Sequence, residues 1–244
     1  TAAKAMPGVV DVIEIPDGVA VVANSYWGAV KARRALKIDW DFGAGANLSS
    51  DGMIETHRQA SSTGKVLPIQ PAKGDALGAI GGSAKKLSAT YITPLQSHSP
   101  MEPMNFTAHV TGGKALLIGP TQFQQGVQGG VAAALGIKPE DVQVQTTFLG
   151  GGFGRRASAV SDFAVEAALV AQGVGKPVKV VWTREDDMRG GYYRPLSFNR
   201  VKAAVGEIEG FQTGRQVHRD FWMQAREFCQ ARGQPVHPEG GQDG

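Results

Sequence analysis

Four glycines in five residues, Gly150-Gly-Gly-Phe-Gly154, constrain this chain more than any other feature. The segment follows an alternating stretch that predicts a strand over 142–148. It precedes an alanine-rich stretch that predicts a helix over 161–172. A glycine run of this kind cannot pack a core. It offers backbone instead: exposed N–H groups, access to positive φ, and no side chains to hold a ligand away. A strand that turns through glycines toward a helix N-terminus is a common site for an anionic group.

The chain has 244 residues, enough for one large domain or two smaller ones. Its net charge of +3 is slight, and no Lys/Arg run suggests a nucleic-acid surface, so no nucleic-acid partner is expected. Cys229 is the only cysteine, which excludes an intrachain disulfide and a cluster ligated by four thiolates of this chain. The five histidines, His57, His98, His109, His218 and His237, lack metal-ligand spacing. No apolar run approaches the roughly 20 residues of a membrane span, and no signal peptide is visible. The absence of an initiator Met reads as a piece of something longer. Location stays open between periplasm and cytoplasm of a bacterium, soluble or peripheral to a membrane.

The pattern predicts an α+β chain with mixed sheets and packed helices. Strands at 9–15 and 19–23, joined by Pro16-Asp17-Gly18, form a hairpin. A helix over 25–36 with Ser25 as N-cap follows, then a strand at 37–40. Residues 43–86 read as a linker with one helix at 51–63. A second body over 87–205 carries strands at 87–93, 106–110, 114–118, 178–182 (a buried one) and 198–205. It also carries a helix over 124–135 stopped by Gly136. Residues 206–244 read as a diverged or disordered tail.

Gly152-Phe-Gly-Arg-Arg-Ala157 matches the dinucleotide fingerprint in form. That keeps an NAD(P)-dependent dehydrogenase as one alternative, although no acid stands at the required distance. A non-catalytic folded remnant is another. A different reading rests on several motifs in order. These are Ser97-His-Ser-Pro-Met-Glu-Pro-Met-Asn105, Gly119-Pro-Thr-Gln122, Ala132-Ala-Ala-Leu-Gly136, the glycine loop, Trp182-Thr-Arg-Glu-Asp-Asp-Met188 and Tyr192-Tyr-Arg-Pro195. In these the chain resembles the molybdopterin-binding large subunit of the molybdenum hydroxylases, the xanthine dehydrogenase and aldehyde oxidase family. The Gly-Arg-Arg ending is most similar to the isoquinoline 1-oxidoreductase and aldehyde dehydrogenase branch.

The resemblance implies that residues 1–42 end a small α/β hammerhead domain and that 87–205 begin the molybdopterin-binding domain. It implies a molybdenum cofactor held through the pterin dithiolene, with no protein ligand to the metal. The cofactor would be molybdopterin or its cytosine dinucleotide form. Gln122 and Phe153 are then the catalytic positions. Gln122, Gly151, Gly152, Phe153, Gly154 and Arg155 are the cofactor-binding ones. Gln122 would donate from its amide toward the metal's oxo group. Ala157 departs from the Glu that xanthine dehydrogenases carry there. The family's general-base Glu, in a late Gly-x-Gly-Glu, is not present in this chain; Glu239 lies in the tail. The implied reaction hydroxylates an aldehyde or an N-heteroaromatic carbon with water. Electrons leave through iron–sulfur clusters on a small partner subunit, with a cytochrome as candidate acceptor. This chain alone is expected to be inactive. Beside these, Glu102 reads as a structural acid bonded to backbone N–H groups and His98 as a satisfied polar residue. Arg155 and Arg156 read as surface charge or anion attraction, and Arg184–Asp187 as a solvated turn.

Overall fold

The computed structural model describes residues 2–64 and 74–205. The tail expected over 206–244, with His218, Cys229, His237 and Glu239, lies outside the described residues. The chain folds into two compact units. One joins the residues up to Trp40 with Ser97–Arg194; the other takes Asp41–Gln96 and the chain from Pro195. Helices and mixed sheets bear out the α+β class.

In the first unit, β1 (Val9–Ile15) and β2 (Gly18–Ala23) form the antiparallel hairpin. Helix α1 (Tyr26–Arg34) follows, and the Ser25 hydroxyl accepts from Gly28 N–H as its cap. The strand expected at 37–40 does not form. These four residues, Lys37-Ile-Asp-Trp40, find no pairing partner among the described residues, and a short alternating run cannot make a strand without one.

In the second unit, α2 (Ser50–Thr63) is capped by Ser49, and α3 (Ala76–Gly82) is capped by Asp75. The linker expected over 43–86 therefore carries a second helix. Its glycines hid it, because glycine lowers helix propensity and blurs the apolar period. Strand β3 (Lys85–Thr93) belongs to this unit; its partner comes from the chain's last described segment.

The first unit resumes with the four-stranded sheet that positions the site. It contains β4 (Asn105–Thr111), β5 (Lys114–Gly119), then α4 (Gln124–Leu135), β6 (Val142–Thr146), α5 (Asp162–Val174) and β7 (Val178–Val181). The strand order is β6-β5-β4-β7. β5 and β6 run parallel through the α4 crossover, and β4 is antiparallel to both β5 and β7. One face buries Phe106, Ala108, Ala115, Leu117 and Val142 against Val127 and Val131 of α4 and Phe163, Ala164 and Ala167 of α5. β7 sits at the sheet's edge and alternates between half-buried and exposed residues. The buried strand expected there is a one-sided edge strand. Its lysine, Lys179, already breaks the apolar run and faces outward.

Helix α6 (Arg184–Arg189) follows, with a capping box between Thr183 and Asp186. β8 (Ser197–Val205) then returns to the second unit and pairs antiparallel with β3 along all nine of its residues. Among the described residues no helix is long and apolar enough to cross a membrane.

Candidate functional site

The sheet's topology decides where the motifs meet. β5 and β6 are parallel neighbours, so the segments leaving their carboxyl ends emerge side by side. One is Pro120-Thr121-Gln122; the other is the glycine loop. β4 runs the opposite way, so its start, preceded by Glu102, lies at the same end. β7 runs with β5 and delivers Trp182 there as well. Four of the motifs in the sequence therefore converge at one end of one sheet.

Gln122 and the glycine loop touch. The Gly154 N–H donates to Gln122 Oε1 at 3.2 Å, which leaves the Nε2 amide group to donate elsewhere. Gly152 lies so close that a Cβ there would overlap Gln122 Oε1 and stand 2.6 Å from its Cδ. Glycine at 152 is thus a spatial requirement of the Gln122 position. Gly151 and Gly154 have φ of 101° and 97°, and Phe153 holds 54°, a left-handed value that costs a side-chain-bearing residue energy. The bent loop closes on itself through Arg155 N–H to Gly152 O at 2.9 Å. The amides of Gly151, Gly152 and Phe153 have no acceptor among the described residues. Around them Met101, Phe123, Phe148 and Phe153 are exposed, with Phe148 fully so.

Both arginines after the loop are buried, 2% and 1% exposed, which corrects the expectation of surface charge. Arg155 binds Asp162 through both terminal nitrogens, at 2.8 and 2.5 Å. Its guanidinium carbon also lies 5.5–5.9 Å from the ring centres of Phe163, Trp182 and Tyr192. Asp162 is the first residue of α5, which starts five residues after Ala157, and Arg155–Ala157 make a 3-10 turn. The helix thus starts within one residue of its expected position at 161, and the glycine loop does not itself open it. The donors it offers are its own amides. A dinucleotide fingerprint needs the helix to begin at the loop, so this geometry removes the NAD(P) alternative.

Glu102 is a structural acid, as expected. Its Oε2 accepts from Gly150 N–H at 2.9 Å and from Arg156 Nη2 at 3.0 Å. Its Oε1 accepts from Asn105 at 2.9 Å. Burial works to raise its pKa, but the Asn105 amide, the Gly150 N–H and the Arg156 charge outweigh it and hold the carboxyl below its usual range. His98 stands near Gly154, and its Nδ1 is buried with no hydrogen-bond partner among the described residues, so the expected satisfied histidine is half satisfied there. Burial, then Arg194, pushes its pKa down and keeps the ring neutral. Arg184–Asp187 is helical rather than a turn. Arg184 donates to Pro100 O and Met101 O at 2.6 and 2.8 Å, and Asp187, 4% exposed, neutralises it.

Sequence reasoning missed Glu166. Its carboxylate accepts from Trp182 Nε1 at 2.8 Å, and burial, against that bond, pushes its pKa to about 7. The signal was its place on α5, one turn after Asp162 on the face that meets β7.

Residues 57–214 match the family described as molybdopterin cofactor-binding domain. The chain belongs to that family. Isoquinoline 1-oxidoreductase subunit beta of Brevundimonas diminuta is 32% identical over 94% of this chain and 30% of its own length. The aldehyde oxidoreductase molybdenum-binding subunit of Escherichia coli strain K12 is 36% identical over 55% and 18%. Among solved structures, quinoline 2-oxidoreductase from Pseudomonas putida 86 superposes with a TM-score of 0.61, at 19% identity over 82% of this chain and 30% of that one. Aldehyde oxidoreductase from Desulfovibrio gigas superposes at 0.59, with 18% identity over 82% and 26%. This chain thus spans about 30% of the length of the first of these relatives.

The residues fit a molybdopterin cofactor. Three consecutive amides without acceptors among the described residues suit an anionic or oxo-rich group, and the bare Cα of Gly152 lets Gln122 stand beside the loop. Among the described residues no three His, Cys, Asp or Glu side chains converge as a metal site.

Proposed function

We propose that this chain carries the first part of the cofactor-binding domain of a molybdenum-dependent oxidoreductase. The enzyme hydroxylates an aldehyde or an N-heteroaromatic carbon, with water as the oxygen source. One observation carries the reading: Gly154 N–H fixes Gln122 Oε1, so the Nε2 donor and the amides of Gly151, Gly152 and Phe153 stand together at one end of the sheet. In this reading Gln122, Gly151, Gly152, Phe153 and Gly154 contact the cofactor. Arg155, the remaining expected contact, serves by holding the loop's far end to Asp162.

When bound, the molybdenum centre supplies two-electron oxidation of the substrate carbon. The chain's part is to hold the cofactor by backbone donors, to orient it with the Gln122 amide, and to border it with the exposed rings of Phe148 and Phe153. Those rings support a flat, apolar substrate. The relatives' names carry the substrate class: isoquinoline, aldehydes and, in Pseudomonas putida, nicotinate. Their designation as subunits supports a small iron–sulfur partner, with a cytochrome as onward acceptor. The cytosine dinucleotide form of the cofactor is part of the same proposal. So is the division into residues 1–42 as hammerhead, 43–86 as linker, 87–205 as cofactor-binding body and 206–244 as tail. The 244-residue chain alone does not turn over.

The test is expression in a host that makes the cofactor, of this chain alone and within a polypeptide completed to the relatives' length. Molybdenum per chain and dye-linked oxidation of benzaldehyde and isoquinoline are measured. The completed protein should retain molybdenum and oxidise one substrate; the short chain should oxidise neither. A completed, folded protein without molybdenum refutes the proposal.

A further inference from the structure

Arg156 is the largest fully buried side chain described, and nothing about a cofactor contact explains why a cation should lie there. Its partners do. Nε donates to Gly151 O at 2.8 Å, inside the glycine loop. Nη2 donates to Glu102 O at 2.8 Å and to Glu102 Oε2 at 3.0 Å. Glu102 in turn clasps the loop's first glycine both ways: its N–H donates to Gly150 O at 3.0 Å, and its Oε2 accepts from Gly150 N–H at 2.9 Å. The Arg156 carbonyl faces the other way. It accepts from Gln122 N–H at 3.1 Å and from Thr121 Oγ1 at 3.3 Å.

We propose that Arg156 is the positioning residue of the site: its side chain shapes the loop on Glu102 while its main chain seats Gln122, so that one residue sets both halves of the donor array. The proposal rests on the reading of Gln122 and the loop amides as cofactor contacts, and deepens it. The linkage is continuous. The guanidinium holds Gly151 O, and the loop then bends through its positive-φ residues to bring Gly154 N–H onto Gln122 Oε1. A carboxamide can present either its oxygen or its nitrogen. Arg156 is what makes this one present nitrogen. A guanidinium is required because its planar fork serves two acceptors in different directions at once; an ammonium on a flexible stem has no such fork. Leaving Arg156 buried without Glu102 would strand a charge, so the two act as a unit.

Amide hydrogen exchange, followed by NMR on this chain without cofactor, tests the proposal in Arg156→Lys and Glu102→Gln. Both substitutions keep side-chain volume. The reporters are the amides of Gln122 and Gly154, with Val131 of α4 and Ala168 of α5 as core references. In Arg156→Lys the two reporters should exchange at least ~10-fold faster relative to the references, a local opening rather than a global one. The Gln122 Nε2 side-chain signals should move with them. Glu102→Gln should change the same reporters in the same direction, and it decides the matter if Arg156→Lys does not fold. Reporters unchanged in the folded variants, or all amides accelerated by one common factor, overturn the proposal. Because no cofactor is present, that failure is distinct from a failure of the molybdenum reading, which metal analysis registers by itself.

Discussion

Replacing Gly152 by Ala separates the site's geometry from the fold's stability. The new Cβ would overlap Gln122 Oε1 and stand 2.6 Å from Cδ, so the carboxamide must swing away. It can, because Gln122 is exposed and the overlap is with the far end of a flexible chain. The loss is the Gly154 N–H bond to Oε1, about 1 kcal/mol. In a chain of this size that lowers Tm by about 2–4 °C. Gly119→Ala is the control. Its Cβ would stand 2.6–2.8 Å from the Phe106 ring, which is fully buried and cannot move without disturbing the core. Overpacking of that kind costs about 1–3 kcal/mol and lowers Tm by as much as about 12 °C. The functional order is the reverse. With Gln122 in the proposed cofactor contact, a displacement of its Nε2 by an ångström should lower kcat/KM of the completed enzyme about 100-fold. Gly119→Ala should leave the surviving folded enzyme near wild-type turnover. Circular-dichroism melts and steady-state kinetics on both variants make the comparison. If Gly152→Ala melts as early as Gly119→Ala, or turns over at the wild-type rate, the contact between Gly152 and Gln122 is not what requires glycine.

Glu166 predicts a pH effect. Its pKa is raised from 4.5 to about 7, so the native state holds a proton that the unfolded chain has already lost. Stability should therefore fall as pH rises from about 4.5 to 7 and level off above, by at most about 3 kcal/mol, less for the carboxyl's partial exposure. In Glu166→Gln, which still offers Trp182 Nε1 an acceptor, melts across pH 4–9 should lose that slope; an unchanged slope refutes the assignment. Gly191→Ala should destabilise by about 2 kcal/mol. The residue has φ of 74° and its Cβ would overlap Arg155 Nη2; a melt within about 1 °C of wild type would show that the Arg155 cage is not rigid. Arg155→Lys keeps the charge but gives up the two-pronged bond to Asp162 and the flat stacking on Phe163, Trp182 and Tyr192. It should lower Tm by about 4–8 °C and leave Gln122 side-chain NMR signals in place, since Gln122 is seated by Arg156.

What was legible in the sequence followed from periodicity and punctuation. β1, β2, β5, α4 and α5 fall within two residues of where alternation, apolar spacing and Gly136 put them. The site residues were legible as motifs; their convergence was not, because it rests on the parallel pairing of β5 with β6, which the intervening helix permits but does not dictate. Residues 37–40 were misread because a strand is defined by a neighbour, and no local pattern supplies one. α3 was missed because a glycine-rich helix carries no visible apolar period.

The arginines fail for a different reason. A charged pair beside glycines reads as surface, since an unpaired buried cation is too costly to expect. The compensation that makes burial possible is non-local. Arg156 needs Glu102, 54 residues earlier, and Arg155 needs the rings of Trp182 and Tyr192 as well as its near neighbour Asp162. Nothing near position 155 announces those partners. The glycines are the reason the arginines are there. A loop with almost no side chains of its own draws its rigidity from outside it, from groups able to bond backbone carbonyls and carboxylates together. Arginine, with five donors in a fixed plane, does this in one residue. In this chain the bare glycine loop is followed by two buried cations, Arg156 countered by Glu102, 54 residues earlier, and Arg155 by Asp162, 7 residues later. Here the residue after the last glycine, Arg155, ties the loop's far end to the first residue of α5 through both terminal nitrogens.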